Sequence, residues 1–128
     1  MNKSKMISRW LNVGLIKPVA NSMEKLILEK HSLQKLKKRN GYLASYDKAI
    51  RYVIVSLLKE GYDMNSKSVH GLFQKYLSDF LGFEVSEARK IILSRHELKY
   101  QEINPSIEVQ NNLEKAIEKL QNIRISDM

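Results

Sequence analysis

Apolar side chains recur at spacings of three and four along most of this chain, a pattern that indicates amphipathic helices. The pattern predicts a short first helix around residues 7–16 and a second helix over 19–39. Pro18 fits the first turn of the second helix, and Gly41 is a plausible stop after it. We expect one side of this second helix to face inward through Val19, Met23, Leu26, Ile27 and Leu33.

The third segment reads "SYDKAIRYVIVSLLKEGYD", residues 45–63, with Ser45 as a predicted N-cap and Gly61 as a stop. Its β-branched middle could pass for a buried strand. The apolar run is about three turns long, however, and no second strand is available to pair with it. We therefore predict a helix that is apolar nearly all round and is the most buried element of the fold.

Three further helices complete the prediction. The fourth is expected within residues 65–83, after a polar cap region, and ends at Gly82; its inward side chains are Val69, Leu72, Phe73, Tyr76 and Phe80. Residues 84–102 form the fifth. The last begins with Asn104 as N-cap and Pro105 as first residue, and its packing seam is Val109, Leu113, Ala116, Leu120 and Ile123. The expected fold is an all-α antiparallel bundle of four to six helices, in a single domain over residues 1–128.

The chain carries 22 lysine and arginine residues against 14 acidic ones, a net charge of +8. Such a balance favours a polyanionic partner such as RNA, although solubility alone would also explain it. Lys35, Lys37, Lys38, Arg39 and Lys90 are the candidate nucleic-acid contacts; a solvated helix end is the alternative for the run "KLKKRN".

Several classes of protein are not expected. No stretch approaches the apolar length of a membrane span, and the basic N-terminus lacks the features of a signal peptide. The absence of cysteine rules out disulfide and thiolate chemistry and suits the cytoplasm, which is the expected location. Three scattered histidines, with no carboxylate at ligand spacing, predict neither a metal site nor a cofactor.

The fifth predicted helix carries the candidate chemistry. On a regular helix Arg95 projects into the apolar face, whereas Arg89 and His96 share another direction about 100° to its side. The apolar face consists of Val85, Ala88, Ile91, Ile92 and Leu98. An arginine on such a face is costly to bury unless it pairs with an acid such as Asp47, or faces a wet cleft or an interface.

Four segments taken in order resemble the HEPN superfamily of small helical bundles. They are "SYDKAIRYVIVSLLKEGYD", "SVHGLFQKYLSDFLG", "SRHELKYQE" and "LEKAIEKLQ". The resemblance covers residues 42–122, and helices within residues 5–39 are expected to pack on that part. It implies homodimers that face each other across a cleft. Many members are metal-independent endoribonucleases, often toxins paired with a nucleotidyltransferase as antitoxin.

The family signature is an arginine and a histidine separated by four to six residues. Two alignments of this chain with the signature remain open. Arg89 and His96 meet the spacing with six residues between them, although Lys90 stands where the family commonly has asparagine. Alignment on the trailing tyrosine instead makes Arg95 the family arginine and puts Tyr100 at the histidine position. Under the resemblance His70 matches a His-Gly-Phe pattern, and Arg95, Tyr100 and His70 are interface candidates.

These observations lead to two main hypotheses. The first is an HEPN-like domain that acts on or responds to RNA, as a metal-independent endoribonuclease of toxin or defence type. Arg89 with His96, or else Arg95, would then carry the catalysis. The second is a non-catalytic interaction module that binds a partner protein, such as a nucleotidyltransferase, or a nucleotide in the same cleft. A plain nucleic-acid-binding protein that uses the basic surface is a third possibility.

Overall fold

The computed structural model describes residues 3–126, with side chains from residue 5 to residue 122. In this part of the chain six α-helices pack together with one small two-stranded sheet. The helices are α1 Lys3–Asn12, α2 Ser22–Leu36, α3 Tyr42–Lys59, α4 Val69–Lys75, α5 Val85–Gln101 and α6 Ile107–Ser126; the strands are β1 Ile16–Pro18 and β2 Tyr62–Met64. The predicted all-α helical bundle is confirmed. Residues 1, 2, 127 and 128 of the predicted domain lie outside the described part.

Helix α3 lies at the centre of the core, as its nearly continuous apolar sequence predicts. Its buried residues are Tyr46, Ala49, Ile50, Tyr52, Val53, Val55, Ser56, Leu57 and Leu58. The helix begins at Tyr42, directly after Gly41, whose φ of 99° is a conformation that glycine adopts without strain. Ser45 therefore lies inside the helix, and its prediction as N-cap was wrong. Gly61, with a φ of 90°, follows the end of the helix as predicted.

Helix α2 packs antiparallel against α3, and Arg51 of α3 donates to both carboxylate oxygens of Glu29 at 3.0 Å. Leu26 and Leu33 are the buried apolar residues of α2. Met23 and Ile27, which were predicted to face inward, are 68% and 65% exposed. The helix contacts the core along a narrow stripe, so apolar residues to the side of this stripe remain in solvent.

The two-stranded sheet was not predicted. Strands β1 and β2 are antiparallel, with Ile16 opposite Met64 and Pro18 opposite Tyr62. Pro18 thus ends a strand and does not begin α2, which starts four residues later at Ser22. The sheet joins the N-terminal segment to the chain that follows α3, and three-residue strands leave no alternation for a sequence pattern to reveal.

The remaining helices start and end at identifiable signals. After α4 the chain makes one π-helical turn, Tyr76–Phe80, and Gly82 follows with a φ of 81°. The backbone N–H of Glu84 donates to the Glu87 side chain at 3.2 Å, which forms half of a capping box at the start of α5.

At the start of α6 the Ser106 hydroxyl accepts from the backbone N–H of Val109 at 3.2 Å. Ser106 is therefore the cap, and Asn104 and Pro105 lie in the preceding turn, contrary to the prediction. The predicted seam of α6 is buried at Val109, Leu113, Ala116 and Leu120. Ile123, its last member, lies outside the described side chains.

Candidate functional site

Arg95 lies on the core-facing side of α5 and is half-buried, as its helical position predicts. Its guanidinium lies over the ring of Tyr46 of α3, 5.3 Å from the ring centroid, where the ring quadrupole attracts the cation. Asp47, the acid considered as an alternative partner, is exposed. Among the described side chains no ion pair joins Asp47 to Arg95, and no group accepts a hydrogen bond from the guanidinium. The donors of Arg95 therefore remain available to a ligand.

Tyr46 connects Arg95 to a histidine of another helix. The Tyr46 ring is fully buried and packs edge-on against Phe73, with 5.0 Å between the ring centroids. Its hydroxyl lies 2.9 Å from Nδ1 of His70, the second residue of α4. His70 is exposed, and no described residue bonds its Nε2. We refer to Tyr46, His70, Arg95 and Lys99 as the Arg95 cluster; Lys99 belongs to it by the effect of its charge on His70, since its Nζ lies over the Tyr100 ring, 5.6 Å from the ring centroid.

Charges in this cluster favour the neutral form of His70. Burial of part of the ring lowers the pKa of His70, and the positive charges of Arg95 and Lys99 lower it further. Asp47 acts in the opposite direction and raises it. Burial also raises the pKa of Tyr46 far above its ordinary value, so its hydroxyl keeps its proton at physiological pH. The cluster thus presents a neutral imidazole beside two cations.

The basic segment, residues 35–39, lies at the same end of α3 as the Arg95 cluster. Its Lys35, Lys37, Lys38 and Arg39 are all exposed. Lys48 of α3 donates to the carbonyl oxygen of Arg39 at 3.2 Å, which ties the segment to the first turns of α3. Tyr42, three residues after Arg39, donates to the carbonyl oxygen of Ile91 at 2.6 Å. Lys90, also exposed, lies at the groove beside the outer face of α5, so the structure separates it from the other predicted nucleic-acid contacts.

Arg89 and His96 lie elsewhere, on the outer face of α5. Both are exposed, and seven positions on a helix place them about 20° apart in direction, as predicted. Leu93 and Tyr100, 51% and 64% exposed, lie along the same stripe. The His96 ring packs on the Tyr100 ring with 4.8 Å between centroids. Arg89 is about 120° round the helix from Arg95, so the two candidate arginines belong to different surfaces.

Beside this outer face a groove of about 290 Å³ runs between α5 and the start of α6. Its apolar walls are formed by Leu93, Ile103, Pro105 and Val109, and Lys90 and Glu97 lie at its edge. Within the side chains that the structure describes, no three histidine, cysteine or acidic residues are close enough together to hold a metal ion.

Two members of the Arg95 cluster were not predicted. Tyr46 was treated only as part of an apolar helix, although Asp47, the residue next to it, was considered for Arg95. Tyr46 precedes Ala49, Ile50 and Val53 at helical spacing, which would have placed it on the buried side of α3. Lys99 follows Arg95 by four residues and so lies one turn further along the same side of α5.

Comparisons with protein-family models, curated proteins and solved structures give no match to this chain. Across residues 3–126 the structure contains no helix with the length and apolar character that crossing a membrane requires.

Proposed function

We propose that this protein acts on RNA as a metal-independent endoribonuclease and holds the RNA phosphate at Arg95. The observation that carries the proposal is the position of Arg95, which is half-buried on Tyr46 with its hydrogen-bond donors unused among the described residues. A guanidinium held in one place by packing, with free donors, is suited to forked contacts with phosphate oxygens.

The distribution of positive charge supports an extended polyanion as ligand. The basic segment and the Arg95 cluster both lie at the start of α3, where Tyr42 contacts Ile91. Cations along such a path can neutralise successive phosphates and release their counterions. A single-stranded RNA that runs along this path would place one phosphate at Arg95.

The chemistry available at the cluster is transfer of the phosphoryl group within RNA. The ribose 2′-oxygen attacks the adjacent phosphorus while the bond from phosphorus to the 5′-oxygen breaks, which leaves a 2′,3′-cyclic phosphate and a 5′-hydroxyl. Arg95 would stabilise the charge that develops on the phosphate oxygens. His70, whose imidazole is exposed beside Arg95 and Lys99, would carry a proton in this reaction.

The resemblance to the HEPN superfamily agrees with this proposal and extends it. Under the resemblance the chain forms a homodimer, belongs to a toxin or defence system, and pairs with a partner such as a nucleotidyltransferase; the lack of cysteine suits a cytoplasmic location. Of the two alignments, we favour the one that makes Arg95 the family arginine, because Arg95 contacts a second helix whereas Arg89 is exposed on the outer face.

The proposal is tested by incubating a labelled single-stranded RNA with purified protein in excess EDTA. Arg95→Ala should lower the cleavage rate by about 10²-fold or more. Arg9→Ala, an exposed arginine of α1, is the matched control and should cleave at the wild-type rate. Contaminating nucleases would act equally in all three preparations. Cleavage that is absent from the wild type, or unchanged in Arg95→Ala, would refute the proposal.

A second candidate function is a non-catalytic interaction module, and a separate observation favours it. Leu93, Tyr100 and Ile103 are about half exposed or more on the outer side of α5 and just beyond it. Leu93 and Ile103 also line the groove beside α6, and apolar side chains left in solvent at a groove are typical of protein contact sites. Under this candidate Leu93→Lys should abolish binding of the partner protein and leave RNA binding unchanged.

A further inference from the structure

The hydrogen bond between Tyr46 and His70 is compatible with both protonation states of the imidazole. A phenol hydroxyl both donates and accepts. It can donate to Nδ1 of the neutral ring, and it can accept from the N–H at Nδ1 of the charged ring, at the 2.9 Å separation observed. Tyr46 thus fixes the direction of the His70 ring in either state. Nε2 points away from Tyr46 and is the atom that a ligand would meet.

An anion bound at Arg95 would reduce the positive charge around His70. In the free protein Arg95 and Lys99 of α5 oppose protonation of the ring, and Asp47 of α3 favours it. A phosphodiester bound by Arg95 carries one negative charge, shared by its two non-bridging oxygens, and would offset the effect of the guanidinium on the imidazole. The charged ring carries an N–H at Nε2 that can donate to the same anion, and its positive charge, which the neutral ring lacks, strengthens that hydrogen bond.

We propose that a phosphate group bound by Arg95 loads a proton onto His70, and that His70 then donates this proton to the leaving 5′-oxygen of RNA. The first half, protonation of His70 by a bound phosphate, rests on the geometry of the cluster. The second half, donation of that proton to the 5′-oxygen, rests on the proposed function. It makes His70 the general acid of the reaction, a role for a residue outside the arginine–histidine pair of α5.

Atoms and charges balance in this step. The proton of the ribose 2′-hydroxyl passes to a water molecule as the 2′-oxygen bonds to phosphorus. The bond from phosphorus to the 5′-oxygen breaks, and the 5′-oxygen takes the proton from Nε2 of His70. The products are a 2′,3′-cyclic phosphate, a 5′-hydroxyl, a hydronium ion that carries the 2′-hydroxyl proton into solvent, and neutral His70, which takes up a proton again when the next phosphate binds.

The first half is tested with sulfate, which remains a dianion from pH 5 to pH 8, so that any pH dependence belongs to the protein. The pKa values of His31, His70 and His96 are followed by NMR of the ring carbon-bound protons, with and without sodium sulfate. Sodium chloride keeps the ionic strength equal. Sulfate should raise the pKa of His70 by about one, which corresponds to tenfold tighter binding to the charged ring. Arg95→Gln should reduce that rise.

His31 and His96, both exposed, are the internal controls and should not respond to sulfate beyond their response to chloride. Tyr46→Phe provides a second readout, because it removes the group that directs the ring and should weaken the response of His70. An equal rise at all three histidines, or no rise at His70, would overturn the inference.

The second half is tested by the pH dependence of RNA cleavage. If His70 is the general acid, kcat should fall as pH rises through the pKa of His70 in the complex. This fall at high pH should be absent from the pH–rate profile of His70→Asn. A rate that falls only on acidification would overturn the acid role. If the wild type does not cleave RNA, the proposed function and the acid role fail together. The sulfate result still decides whether an anion loads a proton onto His70.

Discussion

The hydroxyl of Tyr42 lies 2.6 Å from the carbonyl oxygen of Ile91, which fixes the first turn of α3 against the middle of α5. One turn further along both helices, Tyr46 meets Arg95. The bond between Tyr42 and Ile91 thus sets the separation at which Arg95 can rest on an aromatic ring. It also places the end of the basic segment beside the same two helices.

Tyr46→Phe should lower the free energy of unfolding by about 1 kcal/mol, because it removes the hydrogen bond to Nδ1 of His70 and keeps the ring. Urea unfolding followed by circular dichroism measures the change. Tyr100→Phe, at an exposed tyrosine, is the matched control and should have almost no effect. Equal effects of the two substitutions would mean that the bond does not contribute to stability.

The stability of the protein should depend on pH through His70. Its pKa is lowered in the folded state, so the unfolded chain binds more protons between the folded pKa and the ordinary value of about 6.5. The contribution of His70 is therefore fully present above about pH 6.5 and is lost as pH falls through the lower folded pKa. His70→Asn should flatten the fall in melting temperature below pH 6.5. His31→Asn should retain it, and an unchanged slope in His70→Asn would contradict the assignment.

Binding of single-stranded RNA should weaken steeply with salt, and the basic segment should supply part of that dependence. The double substitution Lys37→Gln with Lys38→Gln should make the plot of log binding constant against log salt concentration less steep by about 1.4, the value for two phosphate contacts with a single strand. The control is Lys17→Gln with Lys115→Gln, which removes the same charge from β1 and α6. Equal slopes for the two double variants would show that net charge, and not the basic segment, governs binding.

The orientation of α2 can be tested by a pair of substitutions on that helix. Leu33→Ala removes a buried side chain and should cost about 2–5 kcal/mol of stability. Ile27→Lys changes an exposed position and should lie within about 0.5 kcal/mol of the wild type. Thermal and urea unfolding measure both. A large loss in Ile27→Lys would mean that Ile27 faces the core, as its sequence spacing first indicated.

The sequence predicts the features of this fold that depend on one helix at a time. The burial of α3 and the position of Arg95 on the apolar side of α5 both follow from helical periodicity, and the structure confirms both. The start of α6 was misplaced because Asn104 and Ser106 are both good N-caps. Only the bond from Val109 to Ser106 distinguishes them.

Features that join distant segments could not be predicted in this way. The pairing of Ile16 with Met64 unites three-residue strands that are separated by two helices, so no local pattern marks it. The contact of His70 with Tyr46 depends on how α4 packs beside α3. A single sequence predicts which residues share one face of a helix. The distances between the faces of different helices are known only from the packed structure. For this reason the contacts within the Arg95 cluster were not predicted, although Arg95 and His70 were each named as candidates.

The central claim, that RNA is handled at the Arg95 cluster, is tested most directly by comparing two pairs of variants in one cleavage assay in excess EDTA. Arg95→Ala and His70→Asn change the cluster, and Arg89→Ala and His96→Ala change the outer face of α5. Circular dichroism first establishes that all four are folded. We expect the first pair to lose cleavage by about 10²-fold and the second pair to retain it. Loss in Arg89→Ala and His96→Ala, with activity retained in the first pair, would contradict the account and place the reaction on the outer face.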